Sequence, residues 1–163
     1  MIRLDVRVTS AGLVVNQKKK LRATMRKAGA EVASVAKSMI RNSARSGRTY
    51  RGSSGSYTAS SPGQPPANLS GTLVRSIAVR PFKSGEGVAV RARVFYALFL
   101  EKGAKGGGGR SKRSRNRRGA PVTARVLLAR PFLETALESR ASSISSRIRA
   151  AIVDDVQFVR IRA

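Results

Sequence analysis

The chain has 163 residues, 41% of them apolar, with 33 Lys and Arg against 8 Asp and Glu for a formal net charge of +25. It contains no Cys and no His, so the sequence excludes disulfides, Cys–His zinc sites and catalysis by either residue. A chain of this length can bury roughly 70% of its unfolded surface, so a single domain over residues 1–163 is expected.

The charge opposes compaction and favours a polyanion or an acidic protein surface as partner. No apolar run approaches the roughly 18 residues that a bilayer span needs, and the N-terminus alternates charged and apolar residues, unlike a signal peptide. Synthesis in the cytoplasm, without export or a membrane partner, is the expectation.

Ile2 to Val8 alternates strictly and predicts a strand with Ile2, Leu4, Val6 and Val8 on one face. From about Leu13 to Asn42 the period changes. Leu21, Met25, Ala28, Val32, Val35, Ala36, Met39 and Ile40 fall three and four apart, which makes one helical stripe. Lys18, Lys19, Arg22, Arg26, Lys37 and Arg41 lie off it. Asn16 is placed to cap the start. Such a helix is long enough to overhang a small sheet.

Residues 43–71 are Ser, Gly, Arg, Pro and Tyr with no period, and read as one long loop. Pro62, Pro65 and Pro66 stiffen its second half, and Tyr50 and Tyr57 are its only large side chains. Thr72 to Ile77 reads as a short helical turn capped by Asn68 or Ser70, with Leu73 and Ile77 buried. Ala78 to Phe82 and Val88 to Val94, joined by Lys83-Ser84-Gly85-Glu86-Gly87, predict a β-hairpin. Phe95 to Glu101 is too apolar for an exposed strand and reads as a short buried helical turn ending in Glu101, an acid expected to pair with an Arg of its own sheet or of a neighbouring subunit.

Residues 102–120 form a glycine-rich, basic loop with Lys102, Lys105, Arg110, Lys112, Arg113, Arg115, Arg117 and Arg118. Those from Lys105 onward are candidate contacts for DNA or an acidic protein face; a plain solvated loop tip is the alternative. Pro121 to Ala129 predicts a strand. Pro131 and Glu134 are helix-start signals, and Phe132, Leu133, Ala136, Leu137, Ala141, Ile144, Ile148, Ala151 and Ile152 make a second helical stripe. Asp154-Asp155 is expected to end it, and Val156 to Ile161 to form a last strand.

Catalytic chemistry finds little to stand on. The carboxylates close in sequence, Glu134/Glu138 and Asp154/Asp155, sit at predicted helix ends. The four-glycine run lacks the Gly-Lys-Ser/Thr ending of a phosphate loop, and no serine stands in a nucleophile elbow. No enzyme, metal or cofactor is expected.

Three pieces in order carry a resemblance. They are Ser-Pro-Gly-x-Pro-Pro leading to Ser-Gly-x-Leu-x-x-Ser-Ile (Ser61 to Ile77), Tyr-Ala-x-x-x-Glu-x-Gly (Tyr96 to Gly103) and Ala-Arg-Pro-Phe-Leu-x-x-Ala-Leu (Ala129 to Leu137). Together, over roughly Val32 to Ile152, the chain resembles the neck or tail-completion (head–tail joining) proteins of long-tailed bacteriophages. The resemblance implies an α+β fold: a small antiparallel sheet packed against a long N-terminal helix and a C-terminal helix, with two long loops. It also implies a structural protein of the virion that forms a homo-oligomeric ring, expected to be a hexamer, at the head–tail junction. Its partners would be itself, the adjacent connector or stopper, tail-terminator or tail-tube proteins, and the genomic DNA. Candidate subunit-interface residues are Tyr50, Tyr57, Pro65, Pro66, Tyr96, Glu101, Arg130 and Phe132. The chain departs from the family pattern in having Leu69-Ser70-Gly71 where members often have Asp-Thr-Gly, and in its long basic loop after Gly103. A basic nucleic-acid-binding module is the competing reading, weakened by an aromatic content of 5%.

Overall fold

The computed structural model describes residues 2–5, 15–52, 55–83, 87–105 and 126–160. In chain order these form β1 (Ile2–Asp5), α1 (Val15–Arg41), β2 (Thr49–Gly52), β3 (Gly55–Thr58), α2 (Thr72–Ser76), β4 (Ile77–Pro81), β5 (Gly87–Ala92), α3 (Ala97–Lys102), β6 (Ala104–Lys105), β7 (Val126–Leu127), α4 (Leu133–Glu138) and α5 (Ala141–Arg160). The class is α+β, as the sequence implied.

The main sheet is antiparallel with strand order β1-β5-β4. Its register sets Val79 opposite Val90 and Ile77 opposite Ala92 on the β4–β5 hairpin, and Ile2 opposite Val90 on the other edge of β5. Val6 and Val8, expected to extend β1, lie outside the described residues. Two further two-stranded ladders, β2-β3 and β6-β7, stand apart from this sheet.

Helix α1 runs 27 residues, about 40 Å at 1.5 Å per residue. Its stripe is the backbone of the core. Leu21, Met25, Ala28, Val32, Ala33, Ala36 and Ile40 are buried in one cluster with Leu73, Val74, Ile77, Val88, Val90, Phe132, Leu133, Ala136, Ile144 and Ile148. The helix thus packs on the sheet by one side of its stripe and on α4 and α5 by the other. Glu31 on its solvent side accepts from Arg147 and lies 3.7 Å from Arg140. These groups are partly exposed, so the pairs contribute little beyond orienting α5. Asn16 lies inside the helix, after its first residue, and is not the residue before it.

Gly29 permits the close approach of α1 to the sheet. A Cβ there would stand 2.5 Å from one Val88 methyl and 3.0 Å from a Val79 methyl. Valine is stiff about χ1, so neither methyl can swing aside cheaply.

Several expectations are corrected. Residues 43–71 are not one structureless loop. Tyr50 and Tyr57 face each other across the β2-β3 ladder with rings stacked at 5.2 Å, and Thr49 and Thr58 share a hydroxyl hydrogen bond of 2.8 Å. The segment from Phe95 to Glu101 is helical from Ala97 but not buried throughout, since Phe95 is 84% exposed and Leu98 and Phe99 are about half exposed. The second stripe is split: α4 ends at Glu138 and α5 starts at Ala141. Pro131 stands before the capping residue Phe132, two positions ahead of the first helical residue, Leu133, whose place it was expected to take. Helix α5 continues through Asp154-Asp155 to Arg160, where a strand was expected, because the apolar residues of this end still recur at helical spacing. The strand expected over residues 121–129 is, among the described residues, only the short β7.

Replacing Gly29 with valine is expected to destabilise the fold by about 3 kcal/mol, the upper range for overpacking a core. Urea denaturation read by circular dichroism checks this. Gly29→Ala should cost less, because alanine regains about 1 kcal/mol of helix propensity.

Candidate functional site

The most organised region lies where three sequence-distant stretches meet: residues 43–71, the α3 segment and the residues leading into α4. It is built largely by two side chains that bind main chain.

The first is Glu101. As the fifth residue of α3 it faces inward, and it is buried at 7% exposure. Its carboxylate accepts from the backbone N–H groups of Phe132 at 3.1 Å, Leu133 at 3.1 and 3.2 Å, and Glu134 at 2.8 Å. These are the N–H groups that the first turn of any helix leaves without internal partners. No residue of α4's own N-terminus supplies a side-chain cap. Glu101 does so from 31 residues away, and its charge also complements the positive end of the helix. Among the described residues its partners are backbone amides, where an Arg was expected.

The second is Arg130, also buried. Its Nε donates to the Ser60 carbonyl at 3.1 Å, its Nη1 to the Leu128 carbonyl at 3.5 Å, and its backbone N–H to the Leu100 carbonyl at 2.7 Å. Gly63 N–H donates to the Ala129 carbonyl at 2.9 Å. Residues 59–63 are thereby fastened to 128–130, and 128–130 to the end of α3. Gly103 completes the closure. Its φ of 74° is left-handed, and a Cβ would meet the Leu127 carbonyl oxygen at 2.7 Å, so the chain leaves α3 against β7 only with glycine here.

The rest of residues 43–71 is held by its own polar groups. Ser43 Oγ donates to the Pro65 carbonyl at 2.5 Å, Ser46 Oγ reaches Gln64 Oε1 at 2.8 Å and Ser61 Oγ at 3.0 Å, and Arg45 donates to the Asn68 carbonyl at 3.3 Å. Asn68 Oδ1 accepts from Gly71 N–H and Ser70 Oγ from Thr72 N–H, so both residues expected at the start of α2 contribute there, around Gly71 as the capping residue. Between the β2-β3 hairpin, residues 66–73 and α3 lies a pocket of about 300 Å³. Tyr50, Tyr57, Leu69, Tyr96, Leu100 and Leu127 are among the residues that line it.

The interface candidates divide accordingly. Phe132, at 0% exposure, and Glu101, Arg130 and Pro66 are buried within the chain, where their contacts are internal. Tyr50 and Tyr57 are exposed, and Pro65 and Tyr96 are half-buried. Residues that the sequence does not single out stand beside them: Phe95, just before α3, and Leu98 and Phe99 on it are exposed large apolar side chains. Their only signal in the sequence was apolar character, which reads equally well as core. Of the basic-loop candidates, Lys105 is exposed at the end of β6, while Arg110, Lys112, Arg113, Arg115, Arg117 and Arg118 lie outside the described residues.

Among the described residues no group of three or more acidic residues could hold a metal ion, and no helix is long and apolar enough to cross a membrane. The described glutamates are Glu31, paired with α5, Glu101 in its cap, and Glu134 and Glu138 on α4.

Comparison with protein-family models matches residues 11–103 to the family described as bacteriophage HK97-gp10, putative tail-component. The match begins before α1 and ends at Gly103, so it takes in two of the three pieces of the sequence resemblance and leaves out Ala129 to Leu137. Searches of curated proteins and of solved structures return no match.

Glu101→Ala strips the acceptor from three buried or partly buried N–H groups. At about 1–3 kcal/mol for each buried donor left unpaired, a loss of about 3 kcal/mol or more is expected. Glu101→Gln keeps one acceptor oxygen and should lose less than half of that. Urea midpoints of the two variants against wild type test the order.

Proposed function

This chain belongs to the HK97-gp10-like family of bacteriophage tail components, and from that premise we propose that it is a head–tail connector protein of the neck, assembled as a homo-oligomeric ring of six copies. The family match, which spans α1 through α3, is the observation that carries the reading. The ring would join the head to the tail and seat against the neighbouring connector and tail proteins, with the genome passing through.

The surface is consistent with assembly. Phe95, Leu98 and Phe99 are large apolar side chains exposed close together in sequence, and an apolar patch, where such residues are contiguous, marks a protein–protein contact. Tyr50, Tyr57, Pro65 and Tyr96, beside the pocket, are the further candidates for subunit contact. A closed ring needs a head-to-tail contact, in which one patch meets a different patch of the next copy. The basic loop of residues 102–120 would reach either the DNA in the channel or an acidic ring above or below it. The buried residues Glu101, Arg130, Pro66 and Phe132 would serve the ring indirectly, by fixing α3 and the hairpin in place. Nothing in this role requires catalysis.

Light scattering after gel filtration, at low and high salt, is expected to give one discrete mass near six times the 17.4 kDa of the chain. Leu98→Ser with Phe99→Ser should reduce that mass to the monomer while leaving the circular dichroism spectrum unchanged. A wild-type protein that is monodisperse as a monomer at every concentration and salt would overturn the ring.

A further inference from the structure

Two pockets flank α3, one on each side. Tyr96, its capping residue, and Leu100, four positions on, line the pocket of about 300 Å³ beside the β2-β3 hairpin. Leu98, Glu101 and Lys102, three and four apart, line a second pocket of about 500 Å³, shared with Arg91 of β5 and with Glu134 and Glu138 of α4. Each pocket contains an orphan. Among the described residues two buried side-chain polar atoms have no hydrogen-bond partner, Ser60 Oγ and Arg91 Nε. Ser60 lines the first pocket and Arg91 the second. Buried polar groups are nearly always paired, because leaving one unpaired is costly. That both orphans fall beside one short helix marks its two flanks as surfaces completed by another molecule.

The flanks differ in charge. Arg45 and Arg130 line the first pocket, with no acid among its described lining. Arg48 stands 5.5 Å over the Tyr50 ring there, and Arg75 donates to the carbonyl of Ser70, a lining residue, at 3.0 Å. On the other flank Glu134 and Glu138 are exposed. Arg91 and Lys102 line that pocket too, but among the described residues no ion pair joins either acid to a cation; the ion pairs there are those of Glu31. Glu138 is the last residue of α4, the end at which the helix dipole disfavours an anion. Its charge therefore has no stabilising role within its own helix.

We propose, on the premise of the head-to-tail ring, that these flanks are the two halves of the contact between successive copies. The Arg-and-Tyr flank of one copy seats against the acidic flank of the next. The spacing of the charges suits this. Glu134 and Glu138, one helical turn apart, stand about 6 Å from each other. Arg45 and Arg75 are held at the carbonyls of Asn68 and Ser70, two residues and so about 7 Å or less apart. A second copy is the occupant because both halves belong to the same chain. They lie on opposite sides of one helix, which gives the contact between unlike patches that ring closure requires. Nucleic acid would use only the first flank and would leave the acids of the second without cations.

The test exchanges the charges. R45E/R75E and E134R/E138R are sized separately by light scattering after gel filtration, then mixed in equal amounts and sized again. Each alone is expected to fall from the ring mass to the 17.4 kDa of one chain, because every contact then sets like charge against like. The mixture is expected to recover the ring mass, since a ring of alternating variants has only opposite charges at its contacts. If either double variant alters the circular dichroism spectrum, R45E and E138R are taken through the same scheme. A wild-type ring whose mass neither variant lowers overturns this contact and leaves the ring standing. Loss of the ring in both variants without recovery in the mixture overturns the contact as well. A wild type that is a monomer throughout overturns the ring itself, and this contact with it.

Discussion

The carboxylate of Glu101 is the constraint on which the surrounding structure depends. It is buried, and three main-chain N–H groups of the α4 start converge on it. A helix as short as α4 has little stability of its own, since nucleation is costly and its few internal bonds cannot offset it. An anionic acceptor placed at its positive end supplies what the helix lacks and sets its position relative to α3. Phe132 and Leu133, at the same turn, are then directed into the core beside α1. The orientation of the C-terminal helices thus follows from one acid on a different element. Arg130, immediately before that turn, carries the same logic outward by tying Ser60 and Leu100 to the approach to α4.

What could be read in the sequence follows how far each signal extends along the chain. The stripe of α1 repeats over about seven turns and is unambiguous. The β4–β5 hairpin has alternating apolar residues on both sides of a glycine turn. The β2-β3 hairpin was hidden because its strands are Thr-Tyr-Arg-Gly and Gly-Ser-Tyr-Thr, too short and too polar to show a period, and the Tyr50–Tyr57 stack is a cross-strand contact with no sequence spacing of its own. The break between α4 and α5 was hidden for the opposite reason. Apolar residues continue through it at helical spacing, so nothing marks Ser139-Arg140 as a stop. Phe95, Leu98 and Phe99 mislead because apolar character alone reads as core, whichever way the side chain turns.

The candidate site was legible in a more limited way. Glu101 stood out as an acid closing an aromatic segment, but its partners could not be found, because backbone amides carry no residue identity. Arg130 and Phe132 belong to the motif and read, in sequence, as subunit-boundary residues. The structure employs them inside the chain. The three motif pieces lie far apart in sequence, and Arg130 of the last binds the carbonyl of Ser60, the residue just before the first, 70 positions away. In space they form one joint, with the aromatic pocket beside it. A pattern that looks like three weak signals along a line is one set of contacts in three dimensions.

That joint is made by two side chains that bind main-chain atoms, and this bears on how such a protein tolerates change. A contact between two side chains restricts both positions, so one substitution demands another. A side chain bonded to peptide groups restricts only itself, because every residue but proline offers the same N–H and every residue the same carbonyl. Ser60, Leu100, Leu128 and Leu133 take part in the joint whatever side chain they carry, so far as the hydrogen bonds are concerned. Most of the sequence around it is therefore free to drift while the geometry persists, with Glu101, Arg130 and the left-handed Gly103 as the few fixed points. A fold anchored in this way can move far in sequence without losing its shape.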